Sequence, residues 1–224
     1  MKNNKIFIAC DTKDVHKVKK IIKLSQTKKL KIGYKFGLEF LNSKNGRDFV
    51  YKLKNKLTFG DYKFLDIPNT CVSAIKAIND LRFNYITIHI SSGLEALKEA
   101  KKVSGKTKLV GVTILTSLDN KSLKEIGFDK KVKNLVKHQA KLASKAKLDA
   151  IVCSAQEVEI VKKVFKKEII TPGIRFSSKS NDQKRVLTPK QAYKNGSDWL
   201  VIGRPITNGN IKKNIQTLID HLNQ

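Results

Sequence analysis

The stretch GDYKFLDIPNT, residues 60–70, places two carboxylates and an ammonium within six positions, at Asp61, Lys63 and Asp66. Enzymes use groups of this kind to stabilise developing charge and to transfer protons. A solvated surface strand also alternates charged residues, so the residue types alone leave both interpretations open. The elements that surround the stretch have to distinguish them.

Residues 61 and 63 share one face of a β-strand because side chains alternate with a period of two, and apolar Phe59 continues that face. If that face lines the interior of a barrel, Asp61 and Lys63 point together into its mouth. Asp66 comes after the strand and just before Ile67 and a proline, so we expect it in a loop that reaches elsewhere.

Apolar, β-branched segments recur along the whole chain and alternate with segments of helical period. The eight segments are KIFIACD (5–11), KLKIGYK (29–35), KLTFGDYK (56–63), YITIHI (85–90), KLVGVTIL (108–115), AIVCS (150–154), EIITPGIR (168–175) and WLVIGR (199–204). Eight alternations of strand and helix predict an α/β fold, a (β/α)8 TIM barrel with parallel strands inside and helices outside. No linker interrupts the pattern, so we expect residues 1–224 to form a single domain.

Active sites of such barrels lie at the C-terminal ends of the strands, so the residues found there are candidates for chemistry. Most of the predicted strand ends carry polar or charged groups: Asp11, Lys35, Asp61 with Lys63, His89, Thr116 with Ser117, Pro172 to Arg175, and Gly203 with Arg204. One such residue is compatible with the start of a solvated loop. Many of them at one mouth indicate a site.

The chain has a formal net charge of +27, which invites a nucleic-acid or membrane interpretation. The distribution of the charge argues against both. All but five of the 46 basic residues are Lys, spread over the whole length and alternating with Val, Ile and Leu at helical spacing. This pattern is typical of solvated helix faces opposite buried ones. We therefore expect neither nucleic acid nor membrane as a partner, although a positive field attracts small anions.

The remaining composition favours a soluble, cytoplasmic protein. No apolar run approaches the 18 residues of a membrane span, and the apolar N-terminal segment is interrupted at Asp11. Three cysteines without a CxxC pair fit neither a disulfide framework nor a zinc site, so buried thiols are expected at Cys10, Cys71 and Cys153.

Several motifs together resemble one known family, orotidine 5′-monophosphate decarboxylase. DYKFLDIPNT resembles its DxKxxD-IPNT signature, and further matching segments follow in the same order along nearly the whole chain. They are ACD (9–11), GYKFG (33–37), VTILTS (112–117), VCSAQE (152–157), TPGIR (171–175), NDQKRVLTP (181–189) and VIGRPIT (201–207). Gly60 departs from the family pattern, in which a bulkier apolar residue is common before the first Asp.

The resemblance implies a reaction in which orotidine 5′-monophosphate loses CO2 from C6 without metal or cofactor. Lys63 matches the proton donor to the resulting carbanion, Asp61 the carboxylate beside the substrate carboxylate, and Lys35 a member of the charged network. In the family, residues matching Asp66, Ile67 and Thr70 come from the neighbouring subunit. The resemblance thus implies a homodimer with shared active sites.

The same resemblance implies contacts to the rest of the nucleotide. Asp11 and Lys35 match ribose contacts, Ser117 matches the hydrogen-bond partner of the pyrimidine, and Pro172 the residue packed against it. Phosphate contacts are implied for Gln183, Gly203 and Arg204, with closure of the loop around residues 176–185.

Two rival functions remain open. The metal-dependent branch of the same superfamily, sugar-phosphate decarboxylases and synthases, resembles this chain in the DxKxxD strand and requires Mg2+. A basic binding module with an inactive site would bind duplex DNA in a salt-dependent way. His89 could be interpreted as a metal ligand. We favour a structural histidine because no second His or carboxylate lies at a spacing typical of metal ligands.

Overall fold

The computed structural model describes residues 4–176 and 187–223. Within those ranges eight parallel strands form a closed barrel, and each strand pairs with its neighbours in chain order until β8 closes on β1. The strands are β1 (Lys5–Ala9), β2 (Lys31–Phe36), β3 (Leu57–Phe64), β4 (Tyr85–His89), β5 (Lys108–Val112), β6 (Ala150–Val152), β7 (Glu168–Thr171) and β8 (Trp199–Ile202). The predicted α/β class and (β/α)8 architecture are confirmed.

Helices connect successive strands and cover the outside of the barrel. They are α1 (Val15–Leu24), α2 (Leu38–Leu41), α3 (Gly46–Lys52), α4 (Pro68–Ala77), α5 (Gly93–Val103), α6 (Asn120–Glu125), α7 (Val132–Lys145), α8 (Val158–Lys162), α9 (Pro189–Lys194), α10 (Arg204–Thr207) and α11 (Ile211–Asn223). Short 3-10 turns follow α4 at Asn79–Leu81 and β4 at Ile90–Ser92. In the part of the chain that the structure describes, no helix is long and apolar enough to cross a membrane.

Helix α1 shows how the lysine-rich segments fold. Asp14 caps its N-terminus by accepting hydrogen bonds from the main-chain N–H groups of His16 and Lys17, at 2.7 and 3.3 Å. Its apolar residues Val18 and Ile21 are buried against the barrel, while the intervening lysines are exposed. The basic runs are therefore solvated faces of amphipathic helices.

The alternation of β1 separates the two sides of the barrel wall. Ile6 and Ile8 pack outward into the layer between strands and helices, whereas Phe7 and Ala9 belong to the separate cluster inside the barrel. Phe7 stacks on Trp199 with ring centroids 4.4 Å apart. A Cβ on Gly33 would lie 2.6 Å from the Phe7 ring, so the absence of a side chain at Gly33 makes room for this aromatic packing.

Several strands end earlier than predicted. β1, β5 and β7 end at Ala9, Val112 and Thr171, whereas the predicted strand segments continue for two to four more residues. The additional apolar residues, such as buried Ile114, pack in loops at the mouth, and burial alone made them resemble strand. Asp11, Ser117, Pro172 and Gly203 accordingly lie just beyond strands.

The predicted buried thiols are confirmed, since Cys10, Cys71 and Cys153 are free and buried.

Candidate active site

A cavity of about 200 Å3 opens at the C-terminal ends of the strands. Its lining combines three charged side chains with an apolar wall: Lys35, Phe59, Asp61, Lys63, Val112, Ile114, Leu115, Thr116, Val152, Cys153, Pro172 and Val201. A wider groove of about 990 Å3 lies at the opposite end of the barrel, around residues 51–58. The smaller cavity is the candidate active site because it lies at the end where barrels of this class perform chemistry.

Four charged side chains form a row along one side of the mouth. The ammonium of Lys35 lies 3.1 Å from Asp11 Oδ1 and 3.1 Å from Asp61 Oδ2. Lys63 Nζ lies 2.8 Å from the same Asp61 Oδ2. Opposite charges thus alternate from Asp11 to Lys63, and one carboxylate oxygen serves both ammonium groups.

Strand register explains this row. Lys35 on β2 is aligned with Ala9 on β1 and with Phe59 on β3. Asp11 and Asp61 follow those two partners by two residues, one step further toward the mouth. The long Lys35 side chain extends in the same direction and reaches both carboxylates.

Burial and neighbouring charges have opposite effects on the pKa values of Asp61 and Lys35. Burial would raise the pKa of Asp61, but the neighbouring charges of Lys35 and Lys63 outweigh it, and the pKa is lowered. Burial would likewise lower the pKa of Lys35, but Asp61 and Asp11 hold it above its ordinary value. Both groups are therefore charged at neutral pH, although the side chains of both are only 12% exposed.

The strand that carries Asp61 and Lys63 is irregular at this point. Gly60 pairs with Ile86 on β4, and the next aligned pair is Phe64 with Ile88. Three residues of β3 therefore stand opposite one residue of β4, which is a β-bulge. Lys63 lies in this bulge with a left-handed backbone, φ 53°, which is uncommon for a residue other than glycine.

Gly60 begins the bulge and has a packing reason of its own. A Cβ at this position would lie 3.0 Å from the rings of Phe83 and Tyr62. Those two rings meet edge to face with centroids 5.9 Å apart, so aromatic side chains fill the space that a larger residue 60 would use. The departure from the family pattern at Gly60 is thus compensated by its neighbours.

The motif residues after the strand do not join the row within one chain. Asp66 accepts a hydrogen bond from the main-chain N–H of Ile67 at 2.7 Å. Asp66, Ile67 and Thr70 are exposed around the first turn of α4, and Ile67 is 67% exposed. Within the single chain one carboxylate, Asp61, lies between two ammonium groups. The second carboxylate beside Lys63, which the resemblance assigns to Asp66 of a neighbouring subunit, stays a prediction.

The other predicted contacts are distributed around the same mouth. Pro172 follows β7 and lines the cavity. Ser117 is exposed in the turn after β5, while its neighbour Thr116 lines the cavity. Gly203 follows β8 and caps α10, which begins at exposed Arg204. The predictions for Gln183 and for most of the loop at 176–185 lie outside the described residues.

His89 ends β4 beside the charged row. Burial and the nearby charge of Lys63 lower its pKa, although Asp61 acts in the opposite direction. Among residues 4–176 and 187–223, His, Cys, Asp and Glu side chains form no group of three or more that could hold a metal ion. One residue that the motifs did not single out, Thr87 on β4, contacts both Asp61 and Lys63.

A closed (β/α)8 barrel with alternating charges beside an apolar cavity at its C-terminal mouth defines an enzyme of the TIM-barrel class. The chain belongs to the orotidine 5′-phosphate decarboxylase / HUMPS family, whose family model matches residues 4–214.

Individual relatives agree with this assignment. An orotidine 5′-phosphate decarboxylase of Wolbachia sp. subsp. Brugia malayi is 44% identical over 223 residues, covering 96% of this chain and 97% of the relative. The crystal structure of orotidine 5′-phosphate decarboxylase from Lactobacillus acidophilus superposes with a TM-score of 0.81 at 28% identity, covering 99% of this chain and 100% of that one.

A third relative shares the fold. It is the orotidine 5′-monophosphate decarboxylase of Methanocaldococcus jannaschii, solved in complex with the inhibitor BMP, at 22% identity and a TM-score of 0.79, with 99% of each chain covered. The resemblance drawn from the motifs is confirmed, and the named relatives place the chain among the carboxy-lyases.

Proposed function

We propose that this protein converts orotidine 5′-monophosphate to uridine 5′-monophosphate and CO2, the last step of pyrimidine nucleotide synthesis. The observation that carries the proposal is the position of Lys63, whose ammonium lines the cavity 2.8 Å from Asp61. Membership of the family and the names of the relatives support the substrate and the reaction. Residues 1–224 act as one catalytic domain in this proposal.

Asp61 is proposed to face the carboxylate of the substrate. Two like charges about 4 Å apart repel by roughly 4 kcal/mol at an effective dielectric constant near 20. The repulsion is relieved as the carboxylate becomes neutral CO2. Large enzymatic rate enhancements need roughly 20 kcal/mol of barrier reduction, so this repulsion is a minor contribution.

Lys63 is proposed to make the larger contribution in two stages. As the bond between C6 and the carboxylate breaks, the electron pair of that bond stays on C6. The Lys63 ammonium lies beside C6 and stabilises the developing carbanion, and the site does not have to reorganise for this because the charge is already in place. The carbanion then takes one proton from Nζ, which forms the C6–H bond and leaves Lys63 neutral. No redox change or external electron carrier is needed, so we propose that the reaction proceeds without metal or cofactor.

Lys35 and Asp11 are proposed to hold the row and to contact the ribose. Lys35 fixes Asp61 through its 3.1 Å ion pair, which restricts the carboxylate that in turn holds Lys63. Asp11 has a side chain 58% exposed at the rim, so its second oxygen is accessible to a sugar hydroxyl.

The base and the phosphate are proposed to lie on either side of this centre. Pro172 packs against the pyrimidine, and Ser117 hydrogen-bonds its polar edge. Gln183, Gly203 and Arg204 hold the phosphate, since phosphate sites of this barrel class form from the loops after strands seven and eight. Phosphate binding remote from C6 supplies energy for closing the loop around residues 176–185 and excluding water.

Two identical chains are proposed to complete each other's sites. The exposure of Asp66, Ile67 and Thr70 around the start of α4 supports this arrangement, because these side chains are available to a second molecule. Exposed Leu65 adds apolar surface beside them. In the dimer, Asp66 from the partner becomes the second carboxylate beside Lys63.

The proposal is tested by incubating the purified protein with orotidine 5′-monophosphate and excess chelator, and by measuring loss of substrate against CO2 released. We expect stoichiometric CO2 and uridine 5′-monophosphate. Turnover of orotidine 5′-monophosphate that disappears with chelator and returns with Mg2+ would contradict the metal-independent mechanism. A folded protein inactive under both conditions refutes the proposal and leads to assays of sugar phosphates and of salt-dependent DNA binding.

A further inference from the structure

Thr87 is the one residue of β4 that stands opposite the bulge in β3. Between the aligned pairs Gly60–Ile86 and Phe64–Ile88, β3 contributes residues 61–63 and β4 contributes Thr87 alone. Both charged residues of the cavity strand, Asp61 and Lys63, lie in this interval. The regular ladder of main-chain hydrogen bonds is interrupted where the reaction requires the most exact geometry.

The hydroxyl of Thr87 replaces part of that ladder. Its oxygen accepts a hydrogen bond from the main-chain N–H of Lys63 at 2.7 Å. The same hydroxyl donates to Asp61 Oδ1 at 3.2 Å. A hydroxyl suits this position because it accepts and donates at once, and Thr87 is fully buried.

The two bonds fix different parts of the site. Asp61 directs Oδ1 toward Thr87, which leaves Oδ2 for Lys35 and Lys63. The bond to the Lys63 N–H holds the left-handed main chain at φ 53°, from which the ammonium reaches the cavity. A β-branched side chain has restricted χ1 rotamers, so the hydroxyl is held in place.

We infer that Thr87 is a positioning residue for the reaction: its hydroxyl holds the Asp61 carboxylate and the Lys63 main chain in the arrangement that points both charges into the cavity. The inference rests on the proposed function for its kinetic consequences. The sequence does not indicate this role, because Thr87 is one of several β-branched residues in the predicted strand YITIHI.

The central variant is Thr87→Val, which keeps the shape of the side chain and removes both hydrogen bonds. We expect kcat to fall about 10- to 100-fold, as for a modest misplacement of reacting groups. KM and the dissociation constant of uridine 5′-monophosphate should change less than about threefold, because Thr87 is not expected to touch the nucleotide. Thr87→Ser, which retains the hydroxyl, should recover most of kcat.

Thr58→Val is the matched control. Thr58 is also a buried threonine on the β3–β4 pair, and its hydroxyl bonds Asn84 at 3.4 Å at the end of the strands away from the cavity. We expect its kcat to equal that of the wild type. Should Thr87→Val not fold, Thr87→Ala is assayed in the same way.

A pH measurement separates positioning from packing. Asp61 faces Lys35, Lys63 and His89, with Asp11 beyond Lys35. Loss of the Thr87 hydrogen bond to the charged carboxylate should raise the pKa of Asp61 relative to the wild type. The acid limb of the kcat/KM profile should therefore move to higher pH in Thr87→Val and stay in place in Thr58→Val.

The outcomes are distinct. Wild-type kcat in Thr87→Val, or equal losses in Thr87→Val, Thr87→Ser and Thr58→Val, would overturn the inference. An inactive wild type refutes the proposed function instead. The Asp61 carboxyl pKa, followed by carbon NMR in aspartate-labelled protein, still decides the role of Thr87: a rise confined to Thr87→Val supports it, and no rise contradicts it.

Discussion

The two ends of the barrel both carry ion pairs, but the surroundings differ. At the C-terminal mouth, the row from Asp11 to Lys63 borders a cavity of about 200 Å3 and includes a bulged strand. At the N-terminal end, Lys108 Nζ lies 2.9 Å from Glu168, which also accepts a hydrogen bond from Tyr85 at 2.9 Å. There the strands are in regular register.

The N-terminal group closes a filled interior. Trp199 stacks on Phe7, and Lys5 and Lys31 lie over the Trp199 ring at 5.6 and 5.8 Å from its centroid. The contrast teaches that regular strands with packed aromatic rings stabilise the barrel, whereas irregular strand geometry at the mouth serves positioning. Substitutions at the two ends should consequently separate activity from stability.

Lys63→Ala should have the largest effect. It removes both the charge beside C6 and the proton donor, so we expect kcat/KM to fall by about 10⁴-fold or more. Nucleotide binding should remain measurable by calorimetry, since the proposed phosphate and base contacts are intact. Lys52→Ala, at an exposed lysine paired with Asp48 far from the cavity, is the control and should keep full activity. Appreciable turnover in Lys63→Ala would exclude Lys63 as the proton donor.

Mixing two inactive variants tests whether the mouth is completed by a second chain. In a hybrid of Lys63→Ala and Asp66→Ala, one of the two sites regains Lys63 from one chain and Asp66 from the other. Random exchange makes half of the dimers hybrid, so activity should return to about a quarter of the wild-type value. The measurement is turnover before and after mixing, with exchange verified by mass tags. Exchange without recovery would show that Asp66 does not act in trans.

The barrel was predictable because eight apolar runs and their helical partners repeat along the chain. The shared orientation of Asp61 and Lys63 was predicted from a period of two, yet the structure achieves it through a bulge. Bulges and contacts across strands depend on register, which one sequence does not reveal. Thr87 was therefore missed, and the role of Asp66 in the site of a second chain stays a prediction.

Trp199→Leu should affect stability and spare activity. Trp199 is buried in the aromatic cluster, and the smaller side chain leaves a cavity between Phe7 and Tyr85. We expect the free energy of unfolding to fall by about 2–3 kcal/mol, below the cost of a full truncation to Ala. Urea unfolding measures the change in the free energy of unfolding. When kcat is assayed well below the melting temperature of the variant, it should equal that of the wild type. A loss of kcat without a loss of stability would contradict the division between the two ends.

Glu168→Gln should have the smallest effect at neutral pH. Its ion pair with Lys108 is partly exposed, with 44% of the Lys108 side chain accessible, so we expect a loss of about 1 kcal/mol or less. The effect of Glu168→Gln on stability should be larger at alkaline pH. Burial and then the charge of Glu168 raise the pKa of Tyr85 to about 12, against an ordinary value of 10.0.

A raised tyrosine pKa means that the folded chain keeps its proton to higher pH than the unfolded chain does. The stability that Tyr85 contributes is complete below its unfolded pKa and is lost as the pH rises toward 12. In Glu168→Gln the negative neighbour is gone while Lys108 remains, so the pKa of Tyr85 should fall and the alkaline loss should be smaller. Urea unfolding of both proteins at neutral pH and near pH 11 gives the difference, and tyrosinate absorbance gives the pKa. Parallel loss of stability in the two proteins would show that Glu168 does not control Tyr85, and that the N-terminal ion pair acts only at the surface.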